Sequence, residues 1–312
     1  MVHRLKTMST TGAIGQACSG VVSVTLRASS QYFPLGTYYT EGCSVLPMIM
    51  VVGATGNVGA PLVRMLAEAG EEVTAVSRRI TEAPAGVVVR QGELASLDFA
   101  GVSALFLMAP PGFRGPLEPV LERAREAGVE RVVLLSSQGV GTGRHPAAFE
   151  EAVRASGLKW TVLRPAGFAS NAFQWAESVR AAREVAAPFG DVALPVIDPE
   201  DIAAVAAAAL LSASHEGRTY VLTGPSPVSP RDQAAALGEA VGEPVRFVER
   251  SRDEVRAVLL EFMPPEVADS TLDILGSPTP EEQLVSPDVS RVLGRQPRSF
   301  AEWAARFAGA FK

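Results

Sequence analysis

Three glycines spaced three apart, Gly53, Gly56 and Gly59, are the first residues whose types and spacing point to chemistry. Four apolar residues, Ile49 to Val52, run into them, and an amphipathic segment from Val58 to Ala69 follows at once. Without a Cβ the backbone can approach a phosphate closely, and a helix start offers unpaired N–H groups and a partial positive charge. Strand, glycine turn and helix in that order are what a pyrophosphate site requires. The spacing is G-x-x-G-x-x-G rather than the G-x-G-x-x-G of most dinucleotide sites, so the flanking strand and helix carry the reading. A second group stands after the next strand. Ser77, Arg78 and Arg79 take the place where an NAD site carries an acid for the ribose 2′-hydroxyl. Guanidinium groups there grip a 2′-phosphate with paired hydrogen bonds, so the expected coenzyme is NADP (NADPH).

The elements that must position these groups follow from pattern. Residues 49–52, 72–76, 87–89, 103–108, 131–135, 160–163 and 220–222 read as strands. Residues 58–69, 116–127, 147–155, 171–184 and 199–211 read as helices, the last with Asp198 as its N-cap. Continuous apolar strands suit a parallel sheet covered on both faces, and strands alternating with helices suit an α/β doubly wound fold with right-handed crossovers. From Gly224 the character changes. Pro225, Pro227 and Pro230 make a break, and helices are expected over 230–241, 253–262 and 265–275. Phe300, Trp303, Ala304, Phe307 and Phe311 form a helical stripe that reads as core. The expected organisation is a dinucleotide-binding domain over 48–224 and a smaller, mainly helical substrate lobe over 225–312. That lobe would lie above the C-terminal strand ends, where open α/β sheets bind ligands.

Residues 1–47 differ from the rest. They are rich in Ser, Thr, Gly and Tyr without a sustained period. Arg4 and Lys6 mimic the start of a signal peptide, but the apolar run over 21–26 is broken by Ser23 and Thr25. This stretch is expected to be a dispensable extension, disordered or non-native, arising from an upstream start codon or from an added segment.

Composition narrows the class. The 312 residues are 47% hydrophobic and 20% charged, enough for a large core. The net charge of −6, without a basic run, argues against nucleic acid and anionic membranes as partners. No apolar run approaches the roughly 18 residues that span a bilayer. Cys18 and Cys43 both precede the glycine turn, so a disulfide framework is not expected and a reduced cytoplasm fits. No metal site is expected.

Taken together, Gly53 to Gly59, Ser77-Arg78-Arg79, Ser136-Ser137, residues 157–165 and the Asp198-Pro199-Glu200-Asp201-Ile202-Ala203 helix start resemble the NmrA-like, atypical branch of the short-chain dehydrogenase/reductases. The resemblance covers residue 48 to the end and implies a Rossmann-type fold. That family includes quinone and triphenylmethane-dye reductases, reductases of aromatic polyketides, and NADP-binding redox sensors. The resemblance implies that Thr55, Asn57 and Val58 lie on the pyrophosphate. It puts Arg78, with Ser77 or Arg79, on the adenosine phosphate, and Met108, Ala109 and Pro110 along a ribose. Ser136 and Ser137 fall where the superfamily keeps a catalytic serine, and Pro165, Ala166 and Phe168 fall around the nicotinamide.

One departure from the family pattern is informative. The superfamily's Tyr-x-x-x-Lys pair would fall near Gly143 and Ala147, and no Tyr-x-x-x-Lys occurs anywhere in the chain. The only lysines are Lys6, Lys159 and Lys312. Hydride addition to a simple ketone builds alkoxide charge that needs a donor. A quinone or extended aromatic spreads that charge over its rings, so the protein mainly positions coenzyme against acceptor in a flat apolar slot. Phe168, Phe173, Trp175, Leu260, Phe262 and Met263 could line such a slot, with core packing the plainer expectation for each. Gln138, Asn171 and Gln174 could hold a quinone or phenol oxygen. His145, in the loop before the helix over 147–155, could donate a proton or bind substrate, with a solvated loop histidine the plainer expectation.

The expected function is an NADPH-dependent reductase of a quinone or polycyclic aromatic in specialised metabolism such as antibiotic biosynthesis, with the reduced product open to oxygen-dependent hydroxylation. A homodimer and a pathway partner of oxygenase or cyclase-like type are compatible with it. One alternative is an NADP-sensing regulator without turnover. Another is reduction of a small carbonyl or imine through Ser137 or His145. Deleting residues 1–47 should leave NADPH affinity unchanged in a coenzyme titration; a large loss of affinity would refute the extension reading.

Overall fold

The computed structural model describes residues 48–109, 113 and 115–312, together with the backbone of two short strands nearer the N-terminus. These strands, β1 (Thr25–Ala28) and β2 (Gln31–Pro34), pair antiparallel within the unit Met1–Leu46. The expectations placed on Cys18, Cys43 and Pro110 lie outside the described residues.

In the unit Pro47–Lys312 the chain begins with β3 (Met48–Val52), α1 (Gly59–Glu68), β4 (Val73–Ser77), β5 (Val88–Gln91) and β6 (Val102–Met108). Then come α2 (Glu118–Glu126), β7 (Arg131–Leu135), α3 (Gln138–Gly141), α4 (Ala148–Ala155) and β8 (Lys159–Pro165). A 3₁₀ stretch, Ala169–Trp175, leads into α5 (Ala176–Ala182), β9 (Glu184–Ala187), α6 (Pro199–Leu211) and β10 (Arg218–Leu222). Seven of these strands form one parallel sheet in the order β10-β8-β7-β6-β3-β4-β5. The order reverses at β3, and the crevice above β3 and β6 is where a doubly wound sheet takes its ligand.

The continuous apolar runs are explained by two cores. Alternate strand residues point to opposite faces. Ile49, Val51, Ala75, Phe106, Val133 and Leu163 pack with Leu62 and Leu66 of α1 and Ile202 and Ala206 of α6. Met50, Val52, Val76, Leu105, Val132 and Val162 pack on the other face with Leu121 of α2 and Val153 of α4. α6 buries Ile202, Ala203, Val205, Ala206, Ala209 and Leu210 in the first of these cores.

The rest of the chain is α7 (Pro230–Val241), β11 (Arg246–Glu249), α8 (Arg252–Leu259), α9 (Pro265–Gly276), α10 (Pro280–Gln283), α11 (Asp288–Leu293) and α12 (Phe300–Arg306). The aromatic stripe of α12 is core, as its spacing implies: Phe300, Trp303 and Phe311 are buried with Val179, Val185 and Leu237. α3, β11, α10 and α11 have no counterpart in the pattern reading, and residues 169–187 depart from it. The helix expected over 171–184 is a 3₁₀ stretch followed by α5, which Arg183 ends in a left-handed conformation at φ 52°. Residues 184–187 then form β9, parallel to β11, a four-residue strand too short to show a period.

The Asp198–Ala203 motif has a structural role. Asp198 caps α6 by accepting from the Glu200 N–H at 3.0 Å. Asp201 is fully buried and accepts from Arg295 Nη2 at 2.6 Å, the Arg298 N–H at 2.6 Å and Arg298 Nη1 at 3.1 Å. This ties the start of α6 to the segment entering α12. Asp201→Ala should cost about 2–3 kcal/mol by leaving those donors unpaired, read as a fall in Tm; an unchanged Tm would contradict the clamp.

Candidate functional site

The glycine turn is built for close approach. Gly53 has φ +78°, and a Cβ on it would lie 2.3 Å from Met108 Sδ. A Cβ on Gly59 would lie 2.1 Å from the Gly53 carbonyl oxygen. Only glycine at both positions lets the first turn of α1 rest on the end of β3 while Met108 of β6 packs beneath. Thr55 and Asn57 are exposed on this turn, and Val58 is buried behind it. The Thr55 and Ser77 hydroxyls share a hydrogen bond of 2.8 Å, which joins the turn to the end of β4. Arg78 and Arg79 follow, both exposed and without an ion pair to a described residue. A bare backbone cradle with two uncommitted guanidinium groups beside it fits a dinucleotide carrying a 2′-phosphate.

On the other side of the crevice, Met108 and Ala109 are half-buried at the end of β6 and Pro165 is buried at the end of β8. Phe168 is half-buried and bridges to Ile197. Asn57 Nδ2 donates to Ser170 Oγ at 3.0 Å, linking the glycine turn to the segment beyond β8.

The two serines after β7 have different partners. Ser136 Oγ donates to Glu150 Oε1 at 2.6 Å. Glu150, in the first turn of α4, is 1% exposed and also holds Arg164 in a two-pronged pair at 2.9 and 2.7 Å, with Arg154 at 2.9 Å. Burial alone would raise the Glu150 pKa, but hydrogen bonds from Arg164 and Ser136 and the charges of Arg164 and Arg154 outweigh it and hold the carboxyl below its usual range. Ser137 Oγ instead lies 2.8 Å from His145 Nδ1. His145 is half-buried rather than a solvated loop residue, because its ring rests on Gly139, where a Cβ would lie 2.6 Å from Nδ1. Burial lowers its pKa, against the opposing pull of Glu282, so the imidazole is neutral at pH 7. Ser136, Ser137, Val140, His145, Phe149 and Glu150 line a cavity of about 220 Å³.

The other proposed acceptor contacts do not gather into one enclosed slot. Trp175 is core: it is 9% exposed and its indole N–H donates to the Ala186 carbonyl at 3.1 Å. Phe173 packs edge-on against Trp303 and Phe307 at ring separations of 5.0 and 5.4 Å. Both leave the slot for a physical reason: β9 pairs with β11, and residues 169–187 pack with α7 and α12 into a core these rings fill, so the boundary expected at 224 does not divide the packing. Asn171 and Gln174 are exposed, and Gln138 donates to the Glu281 carbonyl at 3.3 Å. Met263 is half-buried in the turn after α8, beside Leu260 and Phe262, which are exposed. Pattern reasoning missed Glu150, Arg164 and Glu282. The only signal was an acid in the first turn of a short helix, and no spacing reveals which arginine it meets.

Residues 53–213 match the family model described as NAD(P)H-binding. The chain belongs to this NAD(P)H-binding family. Among its relatives is the (4-alkanoyl-5-oxo-2,5-dihydrofuran-3-yl)methyl phosphate reductase of Streptomyces griseus subsp. griseus, 40% identical over 85% of this chain and 99% of that protein. The NAD(P)H azoreductase of Xenophilus azovorans is 33% identical over 85% of this chain and 99% of its own length. An NADPH-dependent quinone oxidoreductase from Escherichia coli has a similar structure, with a TM-score of 0.67 and 25% identity over 83% of this chain and 99% of that one. As a member with this lineage the protein is an NAD(P)H-dependent oxidoreductase.

The ion cluster at Glu150 makes a pH signature. Its folded pKa lies below the unfolded value of 4.5, so its stabilisation is complete above pH 4.5 and drains as pH falls through the folded value. Glu150→Gln should therefore lower stability at pH 7, and the gap to the wild type should close in acid; a gap independent of pH would contradict the assignment.

Proposed function

We propose that this oxidoreductase uses NADPH to reduce a conjugated acceptor that takes up the incoming charge itself, either an acyl-substituted unsaturated lactone or a quinone. The observation that carries the proposal is the absence of an ordinary acid at the crevice. Between residues 48 and 312 the only phenol is Tyr220 and the only lysines are Lys159 and Lys312. Tyr220 is hydrogen-bonded to His215 at 2.8 Å. Lys159 begins β8, at the opposite end of the sheet from the glycine turn, within 4 Å of Glu130 and Glu216.

When bound, NADPH supplies a hydride. The chain's own part is to orient the two reactants and exclude water. The glycine turn and the start of α1 would hold the pyrophosphate, Arg78 and Arg79 the 2′-phosphate, and Pro165 and Phe168 the nicotinamide side of the crevice. The acceptors in the relatives' names support the reading on chemical grounds. In a 4-alkanoyl-5-oxo-2,5-dihydrofuran, hydride at the ring carbon β to both carbonyls leaves a charge shared between two oxygens. An azo group or a quinone spreads it over aromatic rings. None of these needs a strong local acid in the hydride step.

The test is NADPH oxidation with a panel: a naphthoquinone, a 2-acyl unsaturated lactone, and a simple ketone such as cyclohexanone. Turnover of the first two without the third is expected. Turnover of the ketone at a similar rate, or of none of them, would refute the proposal. Arg78→Ala with Arg79→Ala should raise KM for NADPH about tenfold or more and leave KM for NADH nearly unchanged.

A further inference from the structure

We propose that Asn57 is a positioning residue whose side chain, by tying the glycine turn to Ser170, sets the distance between the coenzyme's phosphates and its nicotinamide. The inference rests on the reductase reading above, which puts Phe168 on the nicotinamide side of the crevice.

The turn has two polar side chains, and each reaches toward a different half of the site. Thr55 Oγ1 shares its 2.8 Å hydrogen bond with Ser77, next to Arg78 and Arg79. Asn57 Nδ2 reaches the other way and donates to Ser170 Oγ at 3.0 Å. Asn57 is exposed on the turn, whereas Ser170 is 6% exposed. Among the described residues Asn57 is the only hydrogen-bond partner of the Ser170 hydroxyl. A buried hydroxyl is costly to leave unpaired, so this link is favoured over a free Asn57 side chain. The N–H groups of Asn57 and Val58 have no acceptor among the described residues. The backbone of the turn therefore stays available to a pyrophosphate while the Asn57 side chain is committed to Ser170.

The segment that carries Phe168 and Ser170 is fastened from behind. The Ile197 N–H donates to the Gly167 carbonyl and the Ala169 N–H to the Ile197 carbonyl, both at 2.8 Å. The Ala166 N–H donates to the Leu222 carbonyl at 2.9 Å. Ala169, Ala172 and Trp175 are buried in the core shared with α7 and α12. Phe168 is thus fixed to the body of the protein, and two residues later Ser170 offers the turn a fixed point. A dinucleotide is held at both ends, its phosphates on the turn and its nicotinamide against this segment. Glycine backbone is permissive, so the turn alone defines that span poorly. The Asn57 side chain supplies the missing constraint. An error in the span tilts the nicotinamide, and a misplacement of about 1 Å costs on the order of a hundredfold in rate.

The experiment compares the full-length wild type with Asn57→Ala, Ser170→Ala, the double variant and Ser170→Thr. Each is titrated with NADPH, followed by the fluorescence anisotropy of the bound nicotinamide. Each is also titrated calorimetrically with adenosine 2′,5′-bisphosphate, which has no nicotinamide half. Both single alanine variants should bind the bisphosphate as the wild type does, yet hold the nicotinamide less rigidly, with a lower anisotropy at saturation. Their kcat for a naphthoquinone should fall about tenfold, as for the loss of one hydrogen bond, with KM for the naphthoquinone nearly unchanged. Because the two residues act as one link, the double variant should lose no more than either single one. Ser170→Thr keeps the hydroxyl and should retain both the anisotropy and the rate. Wild-type anisotropy in the alanine variants, additive losses in the double variant, or a fall in bisphosphate affinity that matches the fall in rate would overturn the proposal. A wild type that holds NADPH rigidly, and is loosened by the variants as described, but reduces no acceptor would instead sink the reductase reading alone.

Discussion

Everything at the crevice depends on the missing side chain of Gly59. A Cβ there would sit 2.1 Å from the Gly53 carbonyl oxygen and 2.7 Å from its carbon, far inside any contact that atoms tolerate. Because it is missing, the start of α1 can dock on the end of β3, with its free N–H groups at the point where the sheet order reverses. Gly53 is held to glycine by its φ of +78°, and the Met108 side chain fills the space a Cβ would take. With that corner settled, the parallel order of the seven strands brings the ends of β4, β6, β7 and β8 to one rim. Arg78, Met108, Ser137 and Pro165 come to that rim from four different strands for this reason.

A second device recurs around the rim. Glu150, Asp201 and Glu282 are each at most 1% exposed, and each sits in the first turn of a helix. The helix start favours a negative charge, which offsets part of the cost of burying it. Each carboxylate then draws in an arginine from another segment: Arg164, Arg295 with Arg298, and Arg144 respectively. The three clusters fix the strand end behind Ser136, the C-terminal segment on α6, and the His145 loop beneath α10. The fold thereby spends its buried charge on holding loops in place.

The sheet was legible in the sequence because both faces of each central strand are covered. That forces continuous apolar runs, and the glycine turn marks where the first of them in the main sheet ends. The start of α6 at Pro199 was equally plain, since a cap and a helix-opening proline are local signals. What stayed hidden depends on distant partners. β11 has four residues, and its strand partner β9 shares only Glu184 with the helix expected over 171–184. Trp175 and Phe173 carry the composition of an acceptor slot, yet fill the core shared with α7 and α12, because spacing cannot tell which side of an element meets a cavity. The Ser137–His145 pair lies between: both residues were visible as chemistry, but the burial that makes the histidine neutral comes from Gly139 folding beneath it.

The central claim is that the hydride step proceeds without a proton being passed by the protein. Single-turnover reduction of a naphthoquinone with NADPH deuterated at the transferred position, in ordinary and in heavy water, tests it most directly. The account predicts a clear slowing from the coenzyme deuterium and no further slowing from heavy water. A marked heavy-water effect on the same step would reveal an acid in flight and contradict it.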